Sequence, residues 1–121
     1  MKELYKQILD CFLPEELVEN FDVTDIVKTE TTLNIYMSEK NIQPPHDSTI
    51  VMSPNGFTEY SVFTDFPIRR RLVTIHARKR RWIAENIKTK QKTTFSKEYS
   101  FVAEGTRISK DFAAFLKGTR R

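Results

Sequence analysis

The stretch Arg71-Leu72-Val73-Thr74-Ile75-His76-Ala77-Arg78-Lys79-Arg80-Arg81-Trp82-Ile83 decides how the rest of the chain is read. Successive residues of a strand point to opposite sides. Leu72, Thr74, His76, Arg78, Arg80 and Trp82 therefore share one face, and Val73, Ile75, Ala77, Lys79, Arg81 and Ile83 share the other. Each face begins apolar and ends cationic. The pattern predicts one strand, the longest of the chain, whose first half packs in a core while its second half projects as a basic ribbon. His76, inside the apolar half, reads as a structural histidine rather than a ligand or base. Trp82 either stacks on a base or caps the core, and a lone tryptophan at a strand end favours the core.

Working outward, Pro54, Asn55 and Gly56 read as a turn, Phe57 to Phe66 as a strand, and Pro67 as the break before the long strand. Lys88 to Lys92 reads as a polar turn, after which Lys92 to Tyr99 returns antiparallel. Ser109 is placed to cap a helix whose Ile108, Phe112, Phe115 and Leu116 share a face, with Gly118 as its stop. Toward the N-terminus, Thr31 to Met37 alternates as a half-buried strand, with residues 21–28 as its hairpin partner. Leu4, Ile8, Cys11 and Phe12 recur at helical spacing, so Cys11 is expected in the packed core. Pro14 opens a second short helix carrying Leu17, Val18 and Phe21. These elements predict one α+β domain over residues 1–121: an N-terminal helical segment, antiparallel β-hairpins and a C-terminal helix. A proline-containing loop at Pro44 and Pro45 separates segment 1–48 from segment 49–121.

Charge is segregated between those parts. Residues 1–68 carry 4 basic and 12 acidic side chains, a net of −8, whereas residues 69–121 carry 16 basic and 4 acidic, a net of +12. Arg69, Arg70 and Arg71, then Arg78, Lys79, Arg80 and Arg81, concentrate the positive field, which attracts polyanions. Double-stranded DNA is the expected partner, with these seven cations on phosphates and Trp82 as a candidate stacker. The alternative is a protein assembly module, in which the acidic part docks on a basic protein or copies attract one another as a homo-oligomer.

Catalytic signals are sparse. The chain has one cysteine and two histidines, His46 and His76, thirty positions apart, and no Gly-rich phosphate loop or serine nucleophile motif. A non-enzymatic protein without cofactor or metal is expected. No apolar run approaches the roughly 20 residues of a membrane span, and the N-terminus lacks an apolar signal region, so a cytoplasmic protein that does not enter the membrane is expected.

The run from Phe63 to Trp82 also resembles a family. Asp65-Phe66-Pro67, then Arg71-Leu-Val-Thr-Ile-His-Ala77, then Arg80-Arg81-Trp82 is similar to the N-terminal region of bacterial insertion-sequence transposases of the ISL-three kind. Phe95-Ser-Lys-Glu98 and Ala103-Glu104-Gly105-Thr106-Arg107 continue the pattern, which covers roughly residues 50 to 116. The opening helix, the Leu13-Pro14-Glu15 step and the strand pair resemble separately encoded N-terminal regions of related elements. Relatives carry two Cys-x-x-Cys zinc knuckles. Met52-Ser-Pro-Asn55-Gly56 and Ala84-Glu-Asn-Ile87 stand in their places, so all four thiols are missing. The resemblance implies hairpins like a zinc ribbon without its metal, and a DNA-targeting role beside a separately encoded catalytic subunit that bears the Asp-Asp-Glu site. It also implies that the helix from Ser109 to Lys117 begins a helix-turn-helix region whose recognition helix is absent here.

Overall fold

The structure, a computed structural model, describes residues 2–102 and 107–118. Ala103 to Thr106, part of the resemblance, lie outside the described residues. The elements run α1 (Lys2–Phe12), α2 (Glu15–Asn20), β1 (Phe21–Lys28), β2 (Thr32–Glu39), β3 (Ile50–Phe57), β4 (Ser61–Ile68), β5 (Arg71–Arg78), β6 (Arg80–Asn86), β7 (Lys92–Ser96) and α3 (Lys110–Leu116). The α+β class holds. Two sheets form, one ordered β1-β2-β5-β4 and the other β3-β6-β7.

The strand expected to be the longest is two strands in two sheets. β5 buries Val73, Ile75 and Ala77, whereas β6 buries Trp82, so the inward face changes parity at Lys79. Lys79 bonds outside both ladders: its carbonyl accepts from the Thr58 N–H at 2.8 Å and its N–H donates to Thr58 Oγ1 at 3.0 Å. A continuous strand would have put Trp82 on the face of Leu72, which is 50% exposed. The break lets both apolar sets face a core.

The hairpins are antiparallel as expected, but the four-stranded sheet is mixed. β1 with β2 and β4 with β5 pair antiparallel, but β2 and β5 run parallel, Leu33 beside Val73, Ile35 beside Ile75 and Met37 beside Ala77. After β2 the chain crosses to the second sheet for β3 and returns through β4, which leaves β5 pointing along β2. That register aligns three apolar pairs on one face and joins the acidic and basic parts of the sequence inside one sheet. Pro54-Asn55-Gly56 does not turn the chain. It lies within β3 as an irregularity between Pro54 and Phe57, with Gly56 at φ 76°. Pro67 likewise falls inside β4, where the register slips between Asp65 and Ile68.

Leu13, Leu17, Val18 and Phe21 pack on the odd-numbered face of the four-stranded sheet with Phe63 and Phe101. Tyr99 and Phe101 extend the cluster through ring contacts of 5.2 to 5.7 Å with Phe21, Phe63 and each other. α1 contributes Leu9 to this core, while Leu4, Ile8, Phe12 and Cys11 are exposed. Cys11 is therefore not a core residue; its thiol donates to the Gln7 carbonyl at 3.3 Å. The periodicity located an apolar face correctly but not the side of the helix that the sheet covers.

α3 is capped by Ser109, whose Oγ accepts from the Phe112 N–H at 3.2 Å and donates to Asp65 Oδ1 at 2.6 Å. Both residues are buried. Burial pushes the Asp65 carboxyl above its ordinary value of 3.8, the Ser109 and Phe66 hydrogen bonds oppose the rise, and the Asp111 charge adds to it. A raised folded value means that this group favours folding below about pH 4 and loses that contribution as pH climbs through the shifted value. Asp65→Asn should therefore gain stability relative to wild type between about pH 4 and pH 7, measured as urea midpoints. A difference that does not change with pH would contradict this.

Candidate nucleic-acid interface

Arg69 and Arg70 form the two-residue loop that joins β4 to β5, where Ile68 pairs with Arg71. Both have positive φ, 52° and 68°, as a type I′ hairpin turn requires. Asn-Gly is the residue pair such a turn favours, and a side chain with a Cβ costs roughly 1 kcal/mol at each position. Both arginines are exposed. Arg71 is held back instead, its Nε donating to the Thr29 carbonyl at 2.7 Å and tying this tip to the turn between β1 and β2. The third non-glycine residue with positive φ among the described residues is Lys90, φ 62°, at the tip between β6 and β7. There Asn86 Oδ1 accepts from the Lys88 and Thr89 N–H groups, and Lys88, Lys90 and Lys92 are all exposed.

The run 78–81 does not form the expected ribbon. Arg78 donates from Nε to Ser38 Oγ at 2.8 Å and lies over the rings of Phe57, at 4.1 Å, and Tyr60, at 5.2 Å. Arg80 donates to the Glu39 carbonyl at 3.0 Å and also lies over Phe57, at 4.7 Å. Lys79 pairs with Glu98 at 3.3 Å, so of the four only Arg81 is exposed. Trp82 is 1% exposed and offers no ring face to a base. The alternation of charge and apolar residues correctly placed these side chains on a strand but not their partners, which come from β2, β3 and the residues around Tyr60.

Sequence reasoning also missed the residues around this site. Tyr36 and His76 are neighbours across β2 and β5, and their rings stack at 4.2 Å with 16° between planes. Tyr60 stands edge-on to both. His76 bonds Asn34 at 2.9 Å, and partial burial pulls its pKa below the usual histidine value. Glu39, 2% exposed, accepts from the Arg80 N–H at 2.7 Å and from the Tyr99 hydroxyl. Partial burial of the Tyr99 ring and then the Glu39 carboxylate push the Tyr99 pKa upward. No local pattern marks Glu39 in the sequence, because all its partners are about 40 or more positions away.

The negative charge lies elsewhere. A cleft of about 320 Å³ near the end of α1 is lined by Asp10, Glu15, Asp65 and Asp111 together with Cys11. Among the described residues no group of three or more His, Cys, Asp or Glu side chains is arranged to hold a metal ion. No helix among them is long and apolar enough to cross a membrane. Comparison with protein families, curated proteins and solved structures finds no match. What the arrangement offers chemically is exposed positive charge at two hairpin tips, of the kind that can meet a phosphate.

Proposed function

We propose that this chain is a non-catalytic DNA-binding module: the N-terminal region of an insertion-sequence transposase of the ISL-three kind, working in the cytoplasm beside a separately encoded catalytic subunit. The observation that carries this reading is the choice of residues at the hairpin tips. Arg69, Arg70 and Lys90 are the non-glycine residues with positive φ among the described residues, at positions that glycine or asparagine would fill more cheaply. A cost accepted at exposed sites without a return in packing points to a role outside the fold. Arg69, Arg70 and Arg81 then make the main phosphate contacts, assisted by Lys88, Lys90 and Lys92. Arg71, Arg78, Lys79 and Arg80 add to the field while remaining tied to their partners.

The likeness to a zinc ribbon belongs to the same reading. The two stretches that stand where relatives carry zinc knuckles lie on paired strands, with Met52 directly opposite Ala84 in β3 and β6. Met52 and Trp82 are buried there. Apolar packing in the place of a metal supports the view of this sheet as a ribbon that has lost its thiols.

Replacing Arg69, Arg70 and Arg81 together by alanine should weaken duplex DNA binding about 10- to 100-fold with the circular dichroism spectrum unchanged, since each removes one phosphate contact and none packs in a core. Fluorescence anisotropy with a labelled duplex measures it.

A second reading, a protein assembly module, is favoured by one observation: Leu4, Ile8 and Phe12 of α1 are each more than half exposed on one side of the helix. In that reading the triple variant keeps its protein partner, and neither it nor wild type binds duplex DNA.

A further inference from the structure

The face of the four-stranded sheet opposite the core carries a cluster of rings, with guanidinium groups beside them, that lies apart from the main duplex contacts proposed above. Side chains alternate along β2 and β5, so while Ile35, Met37, Ile75 and Ala77 enter the core, Tyr36, His76 and Arg78 point the other way. Tyr60 joins them at 39% exposure, with Val62, in register with His76, exposed beside it. Arg78 and Arg80 converge on Phe57 at the end of this surface.

We infer that this sheet face is a stacking platform for an unpaired DNA strand, with Tyr60 as its principal ring. The inference rests on the DNA-binding reading above and extends it to unpaired strands. Bases present an apolar π-face that stacks on tyrosine without regard to sequence, and arginines beside the rings meet the phosphates. Tyr60 suits this role because its ring is edge-on to Tyr36 and His76, 84° from each, and so does not stack face to face with either. Arg78 sits 5.2 Å from its centroid. His76, pulled below its usual pKa, is neutral at physiological pH and leaves the positive charge to the arginines. The charge around the cluster fits the same occupant. Glu39 is buried and bonded; Asp25, opposite Tyr36 in β1, and Glu59, next to Tyr60, are exposed acids that repel phosphates on their side and leave Arg78 and Arg80 as the cationic side of the cluster.

The test is anisotropy of the full chain with labelled oligo-dT, oligo-U and a duplex. Wild type should bind a single strand, and Tyr60→Ala should weaken that binding about tenfold while changing duplex affinity less than about twofold. Tyr60→Leu, which keeps apolar bulk, should lose single-strand affinity equally, and Tyr60→Phe should retain it. Binding of oligo-dT at least as tight as that of oligo-U supports an unpaired DNA strand as the occupant, and clearly tighter binding of oligo-U overturns that assignment. Wild type that binds duplex but no single strand, or folded Tyr60→Ala and Tyr60→Leu proteins with unchanged single-strand affinity, overturns it and leaves the duplex reading standing. Loss of duplex binding by wild type itself would instead strike the reading on which the platform rests.

Discussion

Trp82→Ala is expected to destabilise the protein by about 3–5 kcal/mol, the range for removing a large aromatic side chain from a core. Trp82 is 1% exposed, and in the sheet of β3, β6 and β7 only it and Met52 are buried apolar side chains. A three-stranded sheet has little else to hold it together, so the cavity falls where neighbouring packing is thinnest. For a chain of this size the change corresponds to a fall in Tm of more than about 10 °C. Trp82→Phe should lose much less, about 1–2 kcal/mol, because the indole N–H is buried without a hydrogen-bond partner and its removal sacrifices no bond. Urea denaturation followed by far-ultraviolet circular dichroism checks both. A Trp82→Ala protein with wild-type stability and lost DNA binding would restore the indole as a base stacker and contradict its place in the core.

Glu39→Ala should be nearly as damaging, about 3 kcal/mol, for a different reason. The carboxylate sits at the end of β2, where the two sheets meet. It accepts the N–H of Arg80 at the start of β6 and the Tyr99 hydroxyl, while the Glu39 carbonyl accepts from Arg80 Nε at 3.0 Å. Truncation leaves two part-buried donors without this acceptor, together costing about 3 kcal/mol at the low end of the range for lost partners of a carboxylate. Glu39→Gln keeps an oxygen for the Arg80 N–H and should cost less than half as much. Hydrogen exchange should locate the Glu39→Ala effect in β6 and β7 before the four-stranded sheet, whose buried apolar side chains are all retained. Equal stability of the two variants would show that the joint does not depend on this acceptor.

What was legible in the sequence was local. The helix after Pro14, the hairpin of β1 and β2, the Ser109 cap and the return of β7 on β6 all follow from turn and cap residues within a few positions of one another. The long basic strand failed because parity counting assumes an unbroken pleat, and the change at Lys79 is imposed by Thr58, 21 positions earlier. Parallel pairing of β2 with β5 failed for a related reason: the crossover through the other sheet leaves no local signature. The cations at Arg69 and Arg70 were legible by type but not by conformation. Arginine is a poor indicator of a type I′ turn, and that mismatch is the observation on which the proposal of DNA contact at this tip rests. Arg78 and Arg80 were equally visible, but the aromatic rings that hold them, Phe57 and Tyr60, come from the end of β3 and the link to β4, which the sequence had assigned to a single strand.

The most direct test of the account is the salt dependence of duplex DNA affinity for wild type and for the Arg69→Ala, Arg70→Ala, Arg81→Ala triple variant. Each phosphate contact contributes about −0.9 to the slope of log affinity against log salt, so the variant's slope should be shallower by about 2–3. A wild type that binds no duplex at low salt, or a variant with the wild-type slope, would contradict the assignment of DNA contact to these arginines.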